Sequence, residues 1–484
     1  MENKNYTFIL TTLAFLFIVL TIALAFFYTY LTVIITIAAV TILYIIFTIL
    51  KPNKSNFYPD DEKRIKYLLI SSTVFIVIIK LIVSSISPGF ETDVACFKSW
   101  ADYAYTLGPA KLYTSGLFID YPPGYVYVLY VIGFIKNVFS IDYTSGLYGV
   151  LIRLPAIIAD VTIVYFVYKI AKKNNSLKIA ASLGILALLN PAFYINGAVW
   201  GQVDAVFTLA LVFTFYLLTQ KKMAFAAIFY GVSILIKPQA LLIGPVFALP
   251  YLKDIFSKQT YKKGLKTAAV SVVASLATIF LLALPFQGEQ GTFWIVRRIL
   301  ATIGQSQAAS YNIFNFFSMF DANYQSFDKI LFIFSYQVWG YIFIIAAFVM
   351  GYIIYFKNKG KVNIFLIVAF VYILETMFGH SMRERYILPG IMFLLFAYAS
   401  TKDADKNILI VFNLFTATAS INELVVLYYY AQETLYYIST AIMVTFSVIN
   451  VLISVYLIYT VFKISNNKRL SLEVQDINEY GKSS

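Results

Sequence analysis

The sequence predicts an all-α polytopic membrane protein with about 12–14 transmembrane helices and a long first outer loop that holds a flat amphipathic helix. Three observations carry this. Apolar residues make up 60% of the 484 and charged residues only 13%, with a mean hydropathy of +0.78, whereas a soluble chain carries roughly 25% charged residues. Uncharged apolar runs long enough to cross a bilayer, roughly 20 residues, recur along the chain. Lysine and arginine gather in a few loops between those runs. This composition excludes a soluble enzyme, a disordered protein and a DNA-binding domain. The net charge of +13 is therefore read first as topology. One cysteine, Cys96, and one histidine, His380, exclude an intrachain disulfide framework and any multi-histidine metal site.

In chain order, 7–27 and 29–50 read as two retained helices with a tight turn near Tyr28. Further spans are expected at 67–87, 146–168, 178–196, 203–219, 265–286, 328–356, 362–378, 386–400, 407–424 and 433–462. Between 223 and 252 an apolar run is interrupted by Lys237-Pro238-Gln239. Proline breaks the first half, so a pair of short or re-entrant helices is expected, with Lys237 facing a cavity rather than lipid. Three parts follow: 1–66 with two additional N-terminal spans, a core at 67–400, and 401–484 with C-terminal spans and a short polar tail.

The basic loops are 51–66, 169–178 and 253–266, with smaller clusters at Lys221-Lys222, Lys357/Lys359/Lys361, Lys402/Lys406 and Lys468-Arg469. The preference of Lys and Arg for cytoplasmic loops places these inside, together with both termini, in a cell membrane. Parity then makes Gly124 to Phe139 a helix lying flat on the outer face. It also makes 223–252 a hairpin that returns to the side where it began. The outer segments become 88–145, 190–204, 287–327 and 379–386, and the polar residues concentrate there.

Ionisable residues within spans (Lys80, Arg153, Asp160, Lys237, Glu375) must face the bundle interior, because a charge at the bilayer centre costs roughly 2.5–3.5 kcal/mol even on insertion scales. Arg153 and Asp160 share a helix face but lie two turns apart, so each needs another partner, such as a structural bond between helices. Lys80 has the alternative of snorkelling to the surface.

The ordered motifs resemble the GT-C superfamily of membrane glycosyltransferases, in particular bacterial Gpi18-like mannosyltransferases and the dolichol-pathway glucosyltransferases. They are Asp93-Val-Ala-Cys-Phe-Lys-Ser-Trp100, Asp120-Tyr-Pro-Pro-Gly124, Arg153 with Asp160, Trp200-Gly-Gln-Val-Asp204, Lys237-Pro-Gln239, Asn315-Phe-Phe317 and Met382-Arg-Glu-Arg-Tyr386. Arg383 stands where the family usually has histidine, and His380 is the nearby substitute. Each motif is weak alone; their order between about 90 and 390 carries the resemblance.

The resemblance implies a GT-C-like bundle that moves a hexose, with mannose as first guess, from a polyprenyl-phosphate sugar to an acceptor hydroxyl outside the cytoplasm, inverting the anomeric centre. Asp93 is implied as the general base, its carboxylate suited to the task if burial raises its proton affinity, with Glu91 two residues away as a repelling neighbour. Its alternative is a loop carboxylate or helix N-cap. Arg383, Arg385, Lys237, Arg297 and Arg298 are the candidates for holding the donor phosphate. For Arg297 and Arg298 the alternative is contact with lipid headgroups, and for Arg383 and Arg385 a salt bridge with Glu384 or Glu375. Glu91, Trp100, Asp120, Tyr121, Gln202, Asp204, His380 and Glu384 are expected around the sugar and acceptor. Asp120-Tyr121-Pro122-Pro123 also suits a stiff lead-in to the flat helix, and Gln202 and Asp204 an N-cap of 203–219. No cofactor is required, although Mg2+ or Mn2+ bridging phosphate to aspartate stays open. Expected partners are the lipid-linked donor, a glycan, lipid or protein acceptor, and membrane lipids, with no nucleic acid. A transporter or flippase of lipid-linked saccharides is the competing reading, and a scaffolding membrane protein a third.

Overall fold

The computed structural model describes residues 59–466. The expected spans 7–27 and 29–50 and the tail after Asn466 lie outside the described residues. What is described is an all-α polytopic membrane protein.

Among the described residues, fifteen helices of eleven or more residues carry the fold. They are α1 (Pro59–Ile86), α2 (Glu91–Leu107), α3 (Pro123–Val138), α4 (Gly146–Asn174), α5 (Leu177–Leu188), α6 (Asp204–Thr219), α7 (Met223–Ile236), α8 (Gly244–Ile255), α9 (Tyr261–Ala283), α10 (Trp294–Gly304), α11 (Tyr336–Lys357), α12 (Ile364–Phe378), α13 (Leu388–Ala399), α14 (Lys406–Ala431) and α15 (Thr440–Asn466). Local chemistry sets several ends. Ser145, Ser335, Asn363 and Asp405 cap α4, α11, α12 and α14 by accepting a backbone N–H of the first turn. Pro238 ends α7, and the preceding Lys237 takes the extended conformation, φ −145° and ψ 125°, that a following proline favours.

Among the described residues, six helices are long and apolar enough to cross a membrane, and a seventh crossing arises if α5 and Pro191–Trp200, bent by 43°, are one span. The six are α1, α4, α9, α11, α14 and α15. The other expected spans are shorter. At 1.5 Å per residue the 16 residues of α6 extend only about 24 Å, less than the roughly 30 Å of a bilayer core. The same holds for α7, α12 and α13. Among the described residues, six or seven helices of full length stand against the ten spans expected there, and 328–335 forms a small hairpin of Ile330–Leu331 with Phe334–Ser335 instead of extending α11.

Burial separates the two groups. The long helices α1, α9, α11 and α15 leave rows of large apolar residues exposed, among them Ile78, Val273, Ile345 and Leu452. Such a surface suits hydrocarbon, not water. By contrast α13 is buried along its whole length, and α12 nearly so. The core of the bundle therefore consists of short helices, and their ends lie buried within it.

The two ends of the bundle differ. At one end Lys172 meets Glu62 at 2.7 Å, Lys463 meets Asp405 at 3.1 Å, and Asn174 and Asn363 bond to the Ser400 turn. The 223–252 hairpin also returns there, since Tyr251 donates to the Met223 carbonyl. At the other end lie 88–122, 195–204, 287–327 and 379–387. Here α2, a helix the hydropathy did not announce, crosses α3 closely. Gly133 permits this, because a Cβ there would come within 2.0 Å of the Ala101 carbonyl. A two-residue parallel pairing of Ser310–Tyr311 with Met382–Arg383 joins the last two segments.

Candidate active site

Where α6, α7, α12 and α13 stop short, their ends meet in a cluster of charges. Asp204 opens α6, Lys237 closes α7, and Glu384 and Arg385 lie between α12 and α13. Lys237 donates to Asp204 Oδ1 at 2.5 Å, with both side chains buried. Arg385 Nη1 donates to Glu384 at 2.5 Å, its Nε lies 3.7 Å from Asp204 Oδ2, and its guanidinium covers the Trp200 ring. Asn196 bridges Asp204 and Glu423, with bonds of 3.2 and 2.9 Å.

Asp93 stands over this cluster. It is the third residue of α2, whose N-cap is Phe90 with no side-chain cap, so the N-cap alternative for Asp93 does not hold. Its Oδ2 accepts from Trp200 Nε1 at 2.8 Å and Gln202 Nε2 at 2.5 Å, and Arg385 Nη2 lies 3.9 Å away. Oδ1 takes no hydrogen bond among the described residues, and 24% of the side chain remains accessible. One oxygen is thus fixed and the other open.

The Trp200-Gly-Gln segment is shaped for this. Ile195–Trp200 is a π-helical turn, wider than an α-turn and frequent at functional sites. It ends where Gly201 adopts φ +94°, with the Arg153 guanidinium packed behind. Arg153 is itself buried and donates to the carbonyls of Ser84, Ser87, Gly149 and Val199. It is a clamp on the backbone that presents Trp200, not a second charge in the site. Asp160 pairs with Lys80 at 2.5 Å, both buried. That corrects the snorkelling alternative for Lys80: a carboxylate across the helix interface holds it inward. Glu375 has no cation within salt-bridge distance among the described residues; the arginine pair forms through Glu384.

The remaining expected residues fall into three groups. Asp120 and Tyr121 border the cluster. Lys237 lies over the Tyr121 ring, and Asp120 lies within the electrostatic reach of Asp93, Arg383 and Arg385. Burial, and secondarily the charge of Asp93, push the Asp120 carboxyl above the ordinary aspartate value. Burial works against the Arg385 charge, but Glu384, Asp93 and Asp204 more than offset it and hold its pKa well above the arginine norm. Arg383 stacks on Tyr311 and has no carboxylate within salt-bridge distance among the described residues.

The second group supports the first. Trp100 is buried and donates its indole N–H to the Phe118 carbonyl, so it braces the loop before Asp120 and stands behind Tyr121. Arg298 does similar work, donating to the Ile119 carbonyl and covering Tyr113. Gln202 and Asp204 do not cap α6, whose N-cap is Val203 with no side-chain bond; their side chains turn to Asp93 and Lys237. Asn315 bonds the Gly379 carbonyl and fastens 313–318 to the segment that carries Arg383.

The third group is not brought in. Glu91 is exposed, and two residues along a helix point to different sides, so it does not face Asp93. Arg297 is exposed on α10. His380 packs between Phe327 and Tyr341, with Nδ1 on Ser381, and does not take the imidazole's place beside the cluster. Among the described residues no three or more His, Cys, Asp and Glu are grouped so as to hold a metal ion.

Asn196, Trp200 and Glu423 were not assigned to the site from sequence. Glu423 lies inside an otherwise apolar span, which is by itself a functional signal, and Asn196 closes the span before Trp200.

Buried, paired charges in a membrane bundle, with one carboxylate oxygen left open, make this cluster the candidate active site. The family description "Glycosyltransferase family 87" matches residues 118–379, more than half of the chain, and the chain belongs to that family. It is thus a membrane glycosyltransferase. No curated protein matches it. The matched stretch contains Asp120, Tyr121, Gln202, Asp204 and Lys237 but neither Asp93 nor Arg383-Glu384-Arg385, which join the site by geometry alone.

Proposed function

We propose that this glycosyltransferase takes a hexose, mannose first, from a polyprenyl-phosphate donor and places it on an acceptor hydroxyl of a glycan, lipid or protein, with Asp93 as general base. The observation that best supports this is the half-bound carboxylate of Asp93, with Oδ2 held by Trp200 and Gln202 and Oδ1 accessible above buried Arg385. The acceptor O–H proton passes to Asp93 as the oxygen bonds to the anomeric carbon. The bond from that carbon to the phosphate oxygen breaks, and its electron pair stays on the phosphate. Attack from the face opposite the phosphate inverts the centre, through a transition state with oxocarbenium character.

The departing charge meets Arg383, which has no carboxylate of its own, and Arg385 behind it. Preorganised cations in a water-poor site are usually the largest catalytic term. Lys237 serves indirectly, holding Asp204 and so the floor on which Arg385 rests. Asp120, with its raised proton affinity, is suited to hydrogen-bond a sugar hydroxyl. The lysine-rich end faces the cytoplasm under the charge rule, which puts the charge cluster on the extracytoplasmic side. Family membership favours transfer over the transport alternative.

The test is donor consumption by purified full-length protein. Given a panel of polyprenyl-phosphate hexoses and nucleotide sugars, the protein should consume one polyprenyl-phosphate hexose and give a product of opposite anomeric configuration. Use of nucleotide sugars alone, or retention of configuration, would overturn the reading.

A further inference from the structure

A second site lies at the opposite end of the bundle. A cavity of about 610 Å³ opens there among the ends of α4, α6, α11, α12, α13, α14 and α15. We propose that it binds the phosphate-bearing headgroup of an anionic membrane lipid. This is independent of the transfer reaction.

The charge of its lining carries the proposal. Lys173, Lys221, Lys361 and Lys402 line the cavity, and the one lining carboxylate is Asp405. Asp405 is already engaged, by Lys463 at 3.1 Å and by the N-terminus of α14. Elsewhere at this end a lysine does find an acid, as Lys172 finds Glu62. The four cavity lysines have no carboxylate within salt-bridge distance among the described residues. All four line the same cavity.

The walls suit an amphiphile. Tyr216, Phe365 and Ile464 line the cavity, so an apolar surface continues from the cationic mouth. The frame is also built. Asn363 bonds to the Ala397 carbonyl, Ser400 and Thr401, Asn174 to the Ser400 carbonyl, and Asn358 to Ser465. These amides tie α4, α12, α13, α11 and α15 together around the opening and leave the ammonium groups as the available donors. Basic pockets between membrane helices hold phosphate headgroups through this chemistry, each lysine adding attraction that salt screens. A bound headgroup would link the C-terminal helices to the core.

The experiment uses the full chain in neutral detergent. Phosphatidylglycerol, phosphatidylcholine or inorganic phosphate is added, and bound molecules are counted by native mass spectrometry with thermal unfolding in parallel. One phosphatidylglycerol should be retained, with neither phosphatidylcholine nor phosphate retained at the same concentration. Replacing Lys173, Lys221, Lys361 and Lys402 by Gln should weaken retention at least about tenfold. A control with Lys258, Lys262, Lys263 and Lys266 replaced by Gln removes equal charge at the same end, outside the cavity, and should change retention less than about twofold. If the first variant does not fold, the pair Lys361→Gln and Lys402→Gln is read in the same way. Equal loss in cavity and control variants would reduce the effect to a diffuse field and overturn the site. Equal binding of inorganic phosphate would overturn the lipid.

Discussion

Asp93 and Asp120 are both aspartates beside one charge cluster, yet their surroundings differ. Asp93 accepts two N–H donors on one oxygen. Asp120 has a buried Oδ1 with no hydrogen-bond partner, and burial raises its pKa. The sign of the linkage follows. A carboxyl with a folded-state pKa above the unfolded value, roughly 3.9, binds more protons when folded, so its contribution is full below the unfolded pKa and lost as pH rises past the folded one. At neutral pH Asp120 therefore weakens the fold. Asp120→Asn should raise the unfolding temperature at pH 7 by on the order of 1 °C, shrink that gain toward pH 4, and lower transfer activity. An unchanged melting profile across pH would contradict this. The sequence singles out both aspartates and places Trp100 with them, while Trp200 enters only as part of a motif. Trp100 shares a helix with Asp93 and lies two turns away, its N–H spent on a loop, whereas Trp200 arrives from a segment more than a hundred positions distant. Spacing along a chain does not reveal such a pairing.

Among elements, the long lipid-facing helices were legible because their apolar runs satisfy a length requirement that hydrocarbon imposes. Helix α2 was not, since Glu91, Asp93, Lys98 and Asp102 dilute its apolar face. Nor was the bend at Asn190-Pro191, because an average of hydropathy passes smoothly over a proline. The π-helical turn that follows depends on Arg153, which fastens α1, α4 and the Val199 carbonyl together. Removing it leaves several buried carbonyls without donors at about 1–3 kcal/mol each. Arg153→Ala should therefore cost about 3 kcal/mol or more in thermal or denaturant unfolding. It should also lower kcat by loosening Trp200 and with it Asp93. Arg153→Lys should fall between, because an ammonium lacks the planar fork that reaches divergent carbonyls. Stability unchanged in Arg153→Ala would contradict the clamp.

At the scale of the molecule, the short helices α6, α7, α12 and α13 share a lysine-rich end with the long ones and stop about 24 Å or less away. The buried charge cluster sits at their other ends. The position of the cluster was legible as a gathering of polar motifs on one side, and the short helices were legible too, since the expected 203–219, 362–378 and 386–400 lie within two residues of α6, α12 and α13; the side-chain pairing inside the cluster was not, because it joins residues distant in the chain. The proposed orientation, with the lysine-rich end in the cytoplasm, has a direct test. In a Cys96→Ala background, Ser115→Cys, on an exposed loop at the cluster's end of the bundle, should react with an impermeant thiol reagent from outside the cell. Lys263→Cys, at the other end, should react only after permeabilisation. The reverse pattern would invert the protein and place the transfer in the cytoplasm.

The measurement that bears most directly on Asp93 is single-turnover sugar transfer by Asp93→Asn, with donor binding followed separately. Asparagine keeps the shape and still accepts from Trp200 and Gln202, but cannot take a proton. Transfer should fall by about 10²–10⁴-fold while the donor still binds and the protein still folds. Transfer at the wild-type rate would remove Asp93 from the chemistry.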